Sequence, residues 1–204
     1  MRASTESPRM FEQDWLDGLS RTPWWIVPLL WIPLSVSMLA YGAWAWGLPP
    51  LLAAAPLFAL GWMTWTFMEY FLHRTFFHWI PNDTWGARMH FLVHGVHHEW
   101  HQDPYRLVMP PSVSLLLGVL FFGLFYGPFW LASAPGMFFP FYSGFLMGYM
   151  FYDVSHYAIH HLKWKNGLFL ALKKHHLLHH HSPRHKDRKF GVSTTLWDHV
   201  FRTY

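Results

Sequence analysis

The chain has 204 residues, of which 52% are hydrophobic, 21% aromatic and only 13% charged. Soluble domains carry roughly 25% charged residues, so the composition excludes an ordinary soluble protein and points to a single integral membrane domain over 1–204. The formal net charge of +4 sits outside the apolar runs, and there is no cysteine. That last fact excludes disulfides, iron–sulfur clusters and a thiolate-held haem, and leaves nitrogen and oxygen as the strong metal donors.

Residues 1–23 read as a short interfacial leader. They mix acids and bases and lack the basic–apolar–small order of a cleaved signal peptide. A first hairpin follows over 24–72. Its arms, Trp24–Trp46 and Leu51–Leu72, each reach the roughly 20 apolar residues that a membrane crossing needs. A tight Gly47-Leu-Pro-Pro turn joins them. Pro28, Pro33 and Pro56 predict kinks of the kind membrane helices tolerate. Residues 73–112 form a polar loop rich in histidine. A second hairpin over 113–157 pairs Val113–Ala132 with Phe138–Tyr157 across the turn Ser133–Met137. Residues 158–204 form a cap and tail, with a helix expected over Leu168–Ser182 and stopped by Pro183. The expected fold is all-α, with four transmembrane helices in two hairpins and a histidine-rich helical cap.

Neither short turn carries a charge. The leader has Arg2, Arg9 and Arg21, the central loop Arg74, Arg88 and Arg106, and the chain beyond residue 157 nine Lys or Arg against Asp187 and Asp198. The positive-inside rule places leader, loop, tail and both termini in the cytoplasm.

Every histidine cluster then falls on that side. His73/His78, His94/His97/His98, His156/His160 and His176/His179/His180 lie at or just beyond the ends of apolar runs. In each triplet the i, i+3, i+4 spacing puts three imidazoles on one helical face. His156 and His160 share a stripe with Asp153. His73 and His78 splay apart on a straight helix, so His78 is expected where the helix frays or bends. Imidazole suits iron, zinc, copper and nickel, and ten clustered imidazoles exceed the needs of one ion, so two metal ions held side by side are predicted. Glu69 and Asp153 are candidates to take the outer N–H of a ligating imidazole. His90, His101, His161, His175, His181, His185 and His199 are read as outer-shell, head-group or surface residues. The basic residues Lys173, Lys174, Lys186, Arg188 and Lys189 either meet an anionic head group or membrane surface or simply set topology.

At these positions the sequence resembles the fatty acid hydroxylase/sterol desaturase superfamily of membrane diiron oxygenases, and within it the fatty acid 2-hydroxylase branch. The resemblance runs from about residue 65 to the end. It is carried by Glu69-Tyr-Phe-Leu-His-Arg-Thr-Phe-Phe-His78, His90-Phe-Leu-Val-His-Gly-Val-His-His98, Asp103-Pro-Tyr-Arg-Leu-Val-Met-Pro-Pro111, Tyr152 to His161, Lys173 to His180, and Phe190 to Tyr204. It implies that the ten clustered histidines ligate two metals. Iron is expected, with zinc able to take the same nitrogens in a purified sample. It also implies oxygen-dependent hydroxylation of the carbon beside an acyl carbonyl, in a free fatty acid or a ceramide-like lipid. The partners expected are the lipid, O2, the membrane and a separate electron-donor protein, since relatives often carry a cytochrome b-type domain that this sequence lacks; no nucleic acid is expected. Where the branch commonly has Tyr at 175 and 181 and an acid at 178, this chain has His175, His181 and Leu178. The rival readings are another oxidation of the superfamily (a desaturase, or a sterol or carotenoid hydroxylase) and a non-enzymatic haem- or metal-binding membrane protein.

Overall fold

A computed structural model describes residues 7–47, 49–80 and 82–204, and among these every regular element is helical. The leader holds α1 (Asp14–Leu19); its first six residues, Arg2 among them, lie outside the described residues. The first hairpin is α2 (Ile26–Trp46) and α3 (Leu51–Leu72). The second is α6 (Pro111–Leu131) and α7 (Pro135–His161). Both of its helices open on proline, whose fixed φ suits the first turn and whose missing N–H would have had no partner there. Between the hairpins lie α4 (Thr84–His90), capped by the Asp83 side chain, and α5 (Val96–Glu99). After them come α8 (Gly167–His181) and α9 (Leu196–Val200). Among the described residues α2 and α6 are long and apolar enough to cross a membrane.

The bundle is organised on α7, which packs along α3 and α2 and more sparsely on α6. Two glycines allow the α3–α7 contact. A Cβ on Gly61 would stand 1.8 Å from the Phe141 carbonyl oxygen, and one on Gly144 would stand 1.9 Å from that of Phe58. The two backbones therefore touch, as small residues permit in membrane helix pairs. Ser35 and Ser143 clasp α2 to α7, each hydroxyl donating to the other's carbonyl at 3.1 and 3.0 Å. Phe138, Phe145, Leu146 and Ile159 of α7 are almost wholly enclosed, whereas Val36, Leu116, Val119 and Leu120 face outward.

The leader is tied to the central loop. The Thr22 amide donates to the Tyr105 carbonyl at 2.7 Å, and Arg106 pairs with buried Asp17 at 2.8 Å. Burial pushes the Asp17 carboxyl up, but hydrogen bonds from the Met10 amide, Arg21 and Arg106 outweigh it and hold the carboxyl well below the usual range. Observed boundaries stay close to those read from sequence, except that α7 continues to His161. That last turn carries His156 and His160 out of the bundle on a rigid helix.

Candidate metal centre

The four histidine clusters converge where α3, α5, α7 and α8 end. α3 does not fray after Leu72 but widens into a π-helical turn, His73–Phe77. Its i→i+5 spacing swings His78 back beneath His73, and their Nε2 atoms stand 3.3 Å apart. A second π-helical turn, Phe91–Gly95, precedes α5 and carries His94.

The imidazoles form two groups of five, His73, His78, His94, His98 and His179 in one and His97, His156, His160, His176 and His180 in the other. Each triplet is divided. The i, i+4 members stay together, and the third reaches into the opposite group. The groups abut, with the His98 ring stacked on that of His180 at 4.2 Å between centroids.

Within a group the ligand nitrogens all lie within 4.8 Å of one another. Metal–nitrogen bonds of about 2.1 Å place cis donors about 3.0 Å apart and trans donors about 4.2 Å apart. Observed Nε2–Nε2 distances are 3.1 Å for His73–His94, 2.8 Å for His94–His98 and 3.0 Å for His78–His179. In the other group His176 Nε2 lies 2.9 Å from His156, 3.0 Å from His160 and 3.0 Å from His180. One ring nitrogen carries at most one proton and cannot hydrogen-bond three others at once. The donors fit cations.

Their protonation agrees. Burial first, and neighbouring imidazoles second, hold His94, His97, His176 and His180 well below the ordinary histidine range. Neutral rings present free lone pairs, which metal binding requires.

The tail orients the first group. His73 Nδ1 meets the Phe190 carbonyl at 2.5 Å, and His179 Nδ1 meets the Arg188 carbonyl at 2.7 Å. A carbonyl can only accept, so both protons sit on Nδ1 and both Nε2 lone pairs turn inward. In the second group the Nδ1 atoms of His97, His160, His176 and His180 are buried without a hydrogen-bond partner among the described residues.

Glu69 and Asp153 lie close by but hydrogen-bond to other groups. Glu69 accepts from the Val192 and Ser193 amides and the Ser193 hydroxyl, which fixes the segment that offers Phe190. Asp153 accepts from the Met109 amide at 3.1 Å and the Tyr149 hydroxyl at 2.9 Å. Sequence reasoning missed Asp198. It is fully buried and takes the Phe190 and Gly191 amides, the Thr203 hydroxyl and, at 3.0 Å, His175. An Asp in a basic tail gives no periodic signal; its tertiary partners reveal it. His175 and His101 are buried, while His181 and His199 are exposed. Lys189 turns inward, its Nζ 4.0 Å from the Tyr204 ring centre, and Lys173 donates to the Leu162 carbonyl. Lys174, Lys186 and Arg188 remain exposed.

A cavity of about 350 Å³ opens from the junction of the groups. His94, His97 and His156 form its floor, Val96, Val108 and Val113 are among its apolar walls, and Arg106 stands in its lining.

An all-helical membrane-type bundle with two five-histidine clusters at the end of an apolar cavity belongs to the class of metal-binding membrane proteins. The sequence pattern of the fatty acid hydroxylase family matches residues 58–203. A dihydroceramide fatty acyl 2-hydroxylase of Arabidopsis thaliana is 40% identical over 97% of this chain and 80% of its own length. Human fatty acid 2-hydroxylase is 37% identical over 98% of this chain and 57% of its own length. The solved structure of full-length scs7p, in which only the hydroxylase domain is visible, superposes with a TM-score of 0.84 at 36% identity, covering 94% of this chain and 70% of that one. The chain belongs to the fatty acid hydroxylase family, a family of lipid-hydroxylating oxidoreductases.

Proposed function

We propose that the chain, acting as one domain over 1–204, hydroxylates the carbon next to the carbonyl of a long acyl chain, free or amide-linked as in a ceramide. One observation carries the reading: both five-histidine clusters meet the floor of a single apolar cavity. The relatives' names supply the substrate class, which for a Saccharomyces cerevisiae relative is a very long chain ceramide fatty acid.

His73, His78, His94, His98 and His179 would hold one ion, and His97, His156, His160, His176 and His180 the other. Five nitrogens per ion suit an octahedral metal better than a tetrahedral one that takes four, which favours iron over zinc as the working metal. Bound iron supplies the reduction of O2 and the removal of a hydrogen from an unactivated C–H bond, with electrons from a separate protein. The protein supplies position. Apolar walls exclude water and align the chain, and Asp153 holds the Met109 loop against the cavity through the amide and Tyr149. The leader and Arg106, braced by Asp17, close its polar rim. A chain lying tail-inward brings its carboxyl-end carbons to the clusters, not its middle.

Four spans and a cytoplasmic histidine cap, with both termini cytoplasmic, follow from the charge asymmetry and from the placement of all ten histidines at one end of the bundle. Lipid extracts from cells with and without the gene test the reaction. A 2-hydroxy acyl product that depends on oxygen and on the histidines is expected. A mid-chain double bond or an oxidised ring lipid would replace the reaction assigned, and a Soret band without lipid turnover would replace the enzyme reading.

A further inference from the structure

The cavity at the clusters does not end inside the cap. It meets a second, mostly apolar cavity, whose lining also includes Glu69 and Ser114, across Phe77, Met109 and Tyr152, which line both. This second cavity lies within the bundle and meets a third across Trp31, Gly118 and Leu146, again shared. The third is lined by α2 and α6 residues such as Leu34, Leu115 and Val119, and Val119 faces outward. Through shared walls the three cavities lie in line from the histidines to the outer face between α2 and α6, the middle one holding only about 30 Å³.

The wall between the second and third cavities is built from Trp31, Gly118 and Leu146. The Trp31 indole is buried and lies edge-on to Tyr149 at 5.1 Å. Its far edge covers Gly118 so closely that a Cβ there would stand 3.0 Å from it. The Tyr142 hydroxyl donates to the Gly118 carbonyl and holds the backbone beneath the ring. Leu146, in this wall, is ten residues before His156 on α7, about 15 Å along the axis. An extended chain advances about 1.2 Å per bond, a third of the roughly 3.5 Å spanned per residue, so the wall stands about twelve bonds from the clusters.

We propose that the substrate's acyl chain threads this path, passes between Trp31 and Gly118, and leaves between α2 and α6 into the bilayer, so that this contact selects chain length. Chains shorter than about twelve carbons end inside the bundle. Longer ones must turn the indole aside, and beyond it nothing limits their length. The proposal rests on the acyl-hydroxylase reading for its substrate.

The test uses the full chain in microsomes given mixed acyl chains of 10, 12, 16 and 24 carbons. Gly118→Leu wedges the ring in place and is expected to move the long-to-short product ratio towards short chains by roughly tenfold or more, the factor that about 1.4 kcal/mol commands. Trp31→Phe, which vacates part of the wall, is expected to move it the other way. Bound metal at the level of the unaltered protein reports an intact fold, and Gly118→Ala is the milder variant should the leucine disturb it. A second readout needs no turnover: in metal-stripped protein, a 16-carbon chain with a photoreactive group at its tip should crosslink to α2 or α6 near Leu34, Leu115 or Val119. An unchanged ratio in the folded variants, or tip crosslinks confined to the cap, overturns the path. Absence of any 2-hydroxy product with tip crosslinks at α2 or α6 would instead overturn the reaction and leave the path standing.

Discussion

Replacing Asp198 with Asn should weaken one metal cluster and spare the other. Oδ1 of Asp198 accepts from the Phe190 amide at 2.9 Å and the Thr203 hydroxyl at 2.7 Å, and Oδ2 from the Gly191 amide at 2.8 Å and His175 at 3.0 Å. Burial alone would raise its pKa, but the bonds from His175, Thr203 and Gly191 outweigh it and hold the carboxyl below its ordinary value. The group is charged at neutral pH. An asparagine offers one oxygen, so whichever way it turns its NH2 confronts one backbone N–H, that of Phe190 or that of Gly191. Hydrogen bonds to a charged acceptor are worth about 1.5–3 kcal/mol each, so the lost backbone bond alone costs about 1.5–3 kcal/mol locally. That is enough to free the segment carrying Arg188 and Phe190, whose carbonyls orient His179 and His73. Losing such outer partners lowers metal affinity by roughly 10–100-fold. The second cluster takes no carbonyl from this segment and should hold its ion. Metal per chain, followed against rising chelator in detergent, is the assay. In the variant one release phase should move by roughly 10–100-fold while the other stays, and Thr203→Val should move the same phase less. Both phases moving together, or neither, would refute the division of labour.

His97→Ala removes a donor from the second cluster and should abolish hydroxylation and lower bound metal, whereas His185→Ala, whose ring hydrogen-bonds to Ser182, should retain most of both; equal losses would contradict the grouping. Chelator-stripped protein should become less stable as pH falls below about 6.5, the ordinary value for histidine. The unfolded chain then takes up protons that buried His94, His97, His176 and His180 refuse, at up to about 1.4 kcal/mol per group per pH unit. Thermal melts at pH 7.5 and 5.5 check the sign, and a rise in stability on acidification would reverse it. Cysteine at Ala132, beside the turn of the second hairpin, should be labelled only from the non-cytoplasmic side, and cysteine at Lys186 only from the cytoplasm; labelling of both from one side would overturn the topology.

The helices were legible because apolar runs of about 20 residues bounded by Gly and Pro leave few alternatives, and α3 begins and ends where its run does. That the four histidine clusters gather at one end of the helices was legible from their places at the ends of the apolar runs. Their partition was not. Periodicity groups residues by face, and His97 and His179 leave the partners that their own triplets suggest because two clusters flank each helix. The bend at His78 was expected, but its form was not, since no local signal distinguishes a π-helical turn from fraying. Glu69 and Asp153 stood out by position, yet their hydrogen bonds go to Val192, Ser193, Met109 and Tyr149, contacts between segments far apart in sequence. Asp198 and the cavity path depend wholly on such contacts.

The division of each triplet between clusters governs the order in which the protein can be made. His78 and His179 are 101 positions apart, and His97 and His180 are 83. A nascent chain halted before residue 176 carries four donors of one group and three of the other. Neither group of nitrogens is therefore complete until α8, which supplies the closing members of both, has met the two hairpins. Completion of the two groups then acts as a clasp that joins the first hairpin to α8.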